Sequence, residues 1–201
     1  MKILIRLASC IAACVLASCA SGPAPLLVTL PTIETPAASA ATPAAPRGLL
    51  LVRRLEIPEY LMVQRMRYRT DDSTLAEWPH ALWAERIEIG ITREFNNALR
   101  QRLPGWQVCE SNCGERGPAL SLQVQVMRID YVRSERRLYA AVRLSLWTTD
   151  RPPRPLRTVD HSYVLEGDAD TPQSHARTVS AFLARAASDA APAVVASATP
   201  R

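Results

Sequence analysis

The side chains with the clearest chemistry in this chain are cysteines, and the first to matter is Cys19 in Leu16-Ala17-Ser18-Cys19. Lys2 and Arg6 make a charged start, Leu7 to Val15 supply an apolar run, and two small residues precede the thiol. That is the pattern of a bacterial lipoprotein processing site, at which Cys19 is diacylated and becomes the new N-terminus. Leu7-Ala8-Ser9-Cys10 and Ile11-Ala12-Ala13-Cys14 share the local motif, but cleavage at either leaves almost no apolar run. An ordinary secretory signal cut near Ala20-Ser21 is the competing reading. The run is too short to span a bilayer, so acyl chains and not polypeptide enter the membrane.

Once export is assumed, Cys10 and Cys14 leave with the signal, and Cys109 and Cys113 remain as a pair that an oxidising periplasm joins. The loop they close is tiny, worth about 2 kcal/mol at most in the chain-entropy picture, so the pair reads as the staple of a turn. A redox motif wants two residues between its cysteines, and a zinc site wants further ligands close by. His80, His161 and His175 come without a Gly-x-Ser-x-Gly elbow, a His-Glu-x-x-His helix or a Gly-rich phosphate loop. They read as structural or surface residues, and no catalytic residue, metal or cofactor is assigned.

Charge sets a further limit. Lys2 and Arg6 leave with the signal, so the net charge falls from +5 to +3, too mild to argue for nucleic acid. Every later basic residue is Arg, the side chain suited to bidentate contacts with phosphate or carboxylate. Arg65, Arg67 and Arg69 fall on one side of an alternating stretch, Met62 to Tyr68 and onward, with Val63; Gln64, Met66 and Tyr68 take the other. The Arg row contacts lipid phosphates or an acidic partner, or else is a solvated edge protected against pairing. Tyr60 and Leu61, beside Pro58, form either an exposed docking turn or one buried against the first helix. Trp83 and Glu85 form a partner-facing lip, or a packing aromatic and a first-turn carboxylate favoured by the helix dipole.

The elements that position these residues follow from periodicity. Leu26 to Leu30 is a short apolar run whose pairing with the main sheet the pattern leaves open, and Pro31 to Pro46 is a Pro/Ala/Thr stretch without periodicity. Leu49 to Leu55 and Met62 to Tyr68 read as strands around a Pro-marked turn at Ile57 to Leu61. Asp71, Asp72 and Ser73 offer caps for the next segment. Ala84, Ile87, Ile91, Phe95, Ala98, Leu99 and Leu103 recur at helical spacing, and Pro104-Gly105 ends that helix. A strand starts at Trp106 to Cys109, and the cysteine pair with Gly114 and Gly117 makes a turn. Leu120 to Val126 and Leu138 to Leu146 alternate as a hairpin. A last strand lies around Leu156 to Leu165, and Thr171-Pro172 opens a second helix through Ala187. The predicted fold is α+β, a mainly antiparallel sheet with two amphipathic helices on one face. The predicted organisation is a signal over 1–18, a lipidated N-terminus and spacer over 19–25, one domain over 26–188 and a disordered tail over 189–201.

The order of these motifs resembles the ABC-type transport auxiliary lipoproteins, the PqiC family. Leu26 to Leu30, Ile57-Pro58-Glu59-Tyr60-Leu61, the Gln64 to Tyr68 strand, Trp83-Ala84-Glu85, Leu103-Pro104 and the Ser180 to Ala187 segment carry the likeness. The resemblance implies an accessory subunit of a Pqi-type MCE system for intermembrane lipid transport and envelope integrity. It also implies binding to a periplasm-spanning MCE-domain protein and a homo-oligomeric ring. Ala20, where an inner-membrane retention signal usually carries Asp, resembles lipoproteins sent to the outer membrane, which the N-terminal lipid would hold. A lipoprotein assembly factor or adaptor for another envelope transporter or secretion machine is the alternative. A self-sufficient lipid carrier would need a deep apolar cavity, for which the pattern offers no source.

Overall fold

The computed structural model describes residues 23–33, 48–111, 113–115 and 117–198; Cys19 and the signal segment lie outside the described residues. Eight strands form one mixed sheet: β1 (Leu26–Val28), β2 (Gly48–Val52), β3 (Arg65–Arg69), β4 (Leu75–Trp83), β5 (Trp106–Cys109), β6 (Leu120–Val132), β7 (Arg137–Thr148) and β8 (Pro155–Glu166). Two helices, α1 (Ile87–Arg102) and α2 (Pro172–Ala198), complete the α+β fold, and a 3-10 turn spans Glu59–Leu61.

β6 is the spine of the sheet. On one side it pairs antiparallel with β7, which pairs antiparallel with β8. On the other side the sheet forks. The start of β6 takes β2 in parallel, with β5 beyond, whereas its far end meets β3 at Arg69 opposite Val132, followed by β4 and β1. The 3-10 turn lies in the chain between β2 and β3, the two arms of that fork.

Alternation explains what the sheet buries. Leu138, Ala140, Val142, Leu144 and Leu146 of β7 are all buried, while the residues between them face outward. Opposite them, Leu120, Leu122, Val124 and Val126 of β6 are buried; then an irregularity between Val126 and Arg128 shifts the register, and Ile129 and Tyr131 become the buried apolar members, with Asp130 buried between them. One extra residue reverses strand parity. The helices contact one another, α2 lying against β7 and β8 and α1 reaching β5. Their buried stripes, Ile91, Phe95 and Leu99 on α1 and Val179, Phe182 and Leu183 on α2, recur at helical spacing. The helical stretch Pro172–Ser197 is long and apolar enough to cross a membrane, but more than half of it is buried in this core, as expected of a core helix.

The described structure departs from the sequence expectations in three places. Asp71 does not cap a helix: its Oδ1 accepts the Ser73 and Thr74 amides, each at 2.8 Å, and closes the turn into β4. β4 has no counterpart in the sequence expectations, which pass from the Asp71 caps directly to the helix, and it forms although it contains Pro79. It is accommodated because the β3 register jumps from Leu82 to Glu77 across a bulge that contains Pro79 and His80, the latter at φ 56°. Consequently the helix starts at Ile87, and Trp83 ends a strand. The predicted disordered tail is also corrected, since α2 runs to Ala198 and Ala190, Ala191 and Val194 are buried. Leu183, Ala187, Ala190 and Val194 continue one stripe at helical spacing, which holds the helix through Pro192. β1, whose pairing the pattern left open, joins the sheet in parallel beside β4, from Leu26 opposite Ala81 to Val28 opposite Trp83.

Candidate functional site

The fork in the sheet brings together side chains that the sequence places far apart. Tyr60 and Leu61 of the 3-10 turn, Arg65 and Arg67 of β3, and Trp83 at the end of β4 line one crevice, with Ile87, Ile129 and His175 deeper in it. Pro58 precedes the turn, which closes as the Leu61 amide donates to the Pro58 carbonyl at 3.0 Å. Arg67 Nη1 donates to the Tyr60 carbonyl at 3.1 Å and so ties the turn to the strand.

A buried carboxylate organises the polar side. Asp130, 6% exposed, accepts the Tyr60 hydroxyl at 3.0 Å on Oδ1 and faces Arg69 Nε at 3.0 Å and Arg128 Nε at 3.5 Å on Oδ2. Burial and the Asp130 charge push the Tyr60 hydroxyl above its ordinary pKa, so it stays a donor. The hydrogen bond to Asp130 likewise raises the Arg69 guanidinium. Arg65 and Arg67 lie 3.4 and 3.6 Å from the two oxygens of Glu77. Two guanidinium groups therefore share one carboxylate at the mouth, leaving a local excess of positive charge.

The floor is apolar and aromatic. Trp83 is 7% exposed and sits edge-on to His175, with ring centroids 6.0 Å apart. The reading of Trp83 as a partner-facing lip is thus corrected, because its position at the end of β4, under α2, turns the indole inward. His175 stacks on Tyr131 at 4.5 Å, and its buried Nδ1 has no hydrogen-bond partner among the described residues. Burial lowers its pKa from 6.5 to about 3, so the ring is neutral.

Glu85 stands apart from the crevice. Both its oxygens accept Arg93 Nη1 at 2.7 Å, and it borders an adjoining trough with Glu59, Met62 and Glu88, which shares Val63 and Ile87 with the crevice. Cys109 and Cys113 are joined, with Cα atoms 5.5 Å apart, at the β5 end of the sheet and remote from Tyr60 in the fold. Among the described residues no group of three or more His, Cys, Asp or Glu side chains is placed to hold a metal ion.

The crevice encloses about 20 Å3, and a second one between α2 and the β7–β8 face, lined by Leu144, Leu146, Val159 and Val194, about 80 Å3. Sites for drug-sized ligands run to about 300 Å3 and more. The larger hollows, about 600 Å3 beside Glu85 and about 520 Å3 beside Arg133, are open troughs bordered by charged side chains.

The sequence matches the model of the ABC-type transport auxiliary lipoprotein component family over residues 29–191. No curated protein matches it. Among solved structures, a crystal structure of an uncharacterised protein superposes with a TM-score of 0.69 at 17% identity, over 85% of this chain and 99% of that one. A Xanthomonas campestris protein assigned to family DUF330 gives 0.58 at 15% identity, over 84% and 91% of the two chains. At these identities the likeness is one of fold.

Proposed function

The chain belongs to the ABC-type transport auxiliary lipoprotein component family, and from that premise we propose that it is an outer-membrane lipoprotein subunit of a Pqi-type MCE system. In this reading Cys19 carries the lipid anchor, and the folded domain meets a periplasm-spanning MCE protein and supports lipid movement between membranes and envelope integrity. The family is a transport auxiliary component, which is not an enzyme class.

The observation that carries the reading is the surface crevice itself, too small for a lipid but bordered by side chains suited to a protein partner. Spaces of about 20 and 80 Å3 cannot hold a lipid, and the larger hollows beside Glu85 and Arg133 are bordered by charged side chains, which suits an adaptor better than a carrier. The crevice offers what an adaptor needs: a half-buried aromatic and leucine on a pinned turn, with Arg65 and Arg67 beside them. An acidic or amphipathic element of the partner suits that mixture. Self-assembly into a ring needs head-to-tail contact between unlike surfaces. The free edge of β8, twelve residues long with Leu156 and Val164 exposed, supplies one of them.

A photo-crosslinking amino acid at Leu61, in acylated protein made in its own cells, tests the proposal. Mass spectrometry of the crosslinked envelope is expected to recover an MCE protein. Recovery of a β-barrel or a secretion subunit instead would keep an anchored adaptor and overturn the Pqi-type assignment.

A further inference from the structure

The edge strand β1 carries two exposed leucines in succession, Leu26 at 41% and Leu27 at 59% exposure. No charged residue occurs from Ala20 to Ile33, and the adjoining stretch of β4, Pro79 to Trp83, adds none beyond His80. Sheet edges left in water are normally blunted by charge, by proline or by a covering element. Here proline is the device on the upstream side: Pro23 and Pro25 are exposed and have no amide hydrogen to donate. A further protein strand therefore has little to pair with as it extends past Leu26, while the leucines still need cover.

The chain leading into β1 identifies that cover. Cys19 is separated from Pro23 by four residue steps, a reach of at most about 14 Å. We propose that the β1 edge is seated on the lipid surface, with Leu26 and Leu27 among the headgroups of the membrane that holds the Cys19 acyl chains. The inference rests on acylation of Cys19. Depth follows from the backbone: among the described residues β1 pairs with β4 alone, and unpaired N–H and C=O groups are costly in hydrocarbon. The strand accordingly rests in the hydrated interface. Leu26 and Leu27 project to opposite faces, so the contact is edge-on. Since β1 and β8 end the sheet on opposite sides of β6, the sheet stands on β1 and points β8 away from the membrane.

The test uses the full acylated chain carrying Leu27→Cys labelled with a polarity-sensitive fluorophore, reconstituted in phosphatidylethanolamine–phosphatidylglycerol vesicles with a headgroup-spin-labelled lipid. The same label at Val164→Cys, on the β8 edge, is the reference. The label at position 27 is expected to shift to the blue and to be quenched several-fold more strongly than that at 164. A label at 27 as water-exposed as at 164 overturns the proposal. So does protection at 27 that resists the lipid quencher and rises with protein density, since a second copy then covers the edge. Intact mass separates the premises: an acylated chain whose label stays in water defeats the seating alone, whereas a chain without the acyl mass defeats the anchor as well.

Discussion

Asp130 holds together the polar half of the crevice, because one carboxylate answers the Tyr60 hydroxyl and the Arg69 and Arg128 guanidinium groups. Asp130→Asn leaves those cations without their partner, and hydrogen bonds to charged groups contribute about 2 kcal/mol. The unfolding free energy read from urea denaturation is expected to fall by that amount, with the fold retained. His175 gives a pH signature. The unfolded imidazole takes up a proton near 6.5 and the folded one near 3, so between those values the unfolded state binds more protons. Stability is fully present above pH 6.5 and declines as pH falls toward 3, by up to about 1.4 kcal/mol per unit. Asp71, Asp160 and Asp168, held below the usual carboxylate range by their hydrogen bonds, join in only below about pH 4. Denaturation at pH 7 and 5 is expected to show a loss of about 2 kcal/mol that His175→Phe removes; an unchanged slope in that variant would reassign it. Tyr60, Leu61, Arg65 and Arg67 were readable from a proline turn and a strand alternation, which are local. Asp130 was not, since its partner Tyr60 lies 70 residues away and the register shift before it reverses the parity on which the reading relied. His175 was visible as a residue but not as the floor of a crevice, which only the packing of α2 over Trp83 creates.

At the scale of elements, the long helices and the β6–β7 hairpin follow from periods of 3.6 and 2, and they form as expected. The errors arose where two signals conflicted. Leu75 to Trp83 holds a proline and carries no predicted element, yet a bulge absorbs Pro79 and β4 forms. The Ala, Val and Pro composition after Asp189 suggested fraying, yet alanine is the best helix former, and the stripe through Ala190 and Val194 has a core to face. Ending the chain after Asp189 uncovers the apolar seam at Leu122, Leu144 and Leu146. Full burial of a Val side chain stabilises by about 1.5–3 kcal/mol, so the truncated domain is expected to lose about 3 kcal/mol in denaturant titration. A midpoint unchanged by the truncation would restore the tail as a passive segment.

For the molecule as a whole, anchor and fold are separable. Cys19 precedes every described element, so Cys19→Ala is expected to leave the melting temperature of the domain unchanged while moving the protein from the membrane to the soluble fraction on cell fractionation. The fold class was predictable from the sequence, but the forked sheet was not, because alternation reports which face a strand buries and not which neighbour it chooses. That fork also governs how the domain bears load. With Cys19 acylated as proposed, a pull on the lipid enters through β1, the shortest strand, held to β4 by three residue pairs, whereas β2 lies between β5 and β6. Tension strips β1 first. The chain from Pro23 to residue 47, about 25 residues, then extends to about 85 Å before β2 is strained. The proposed anchor is thereby a leash of two lengths, short while β1 is docked and long once it is drawn out, with the β6–β7–β8 body under no strain at either length.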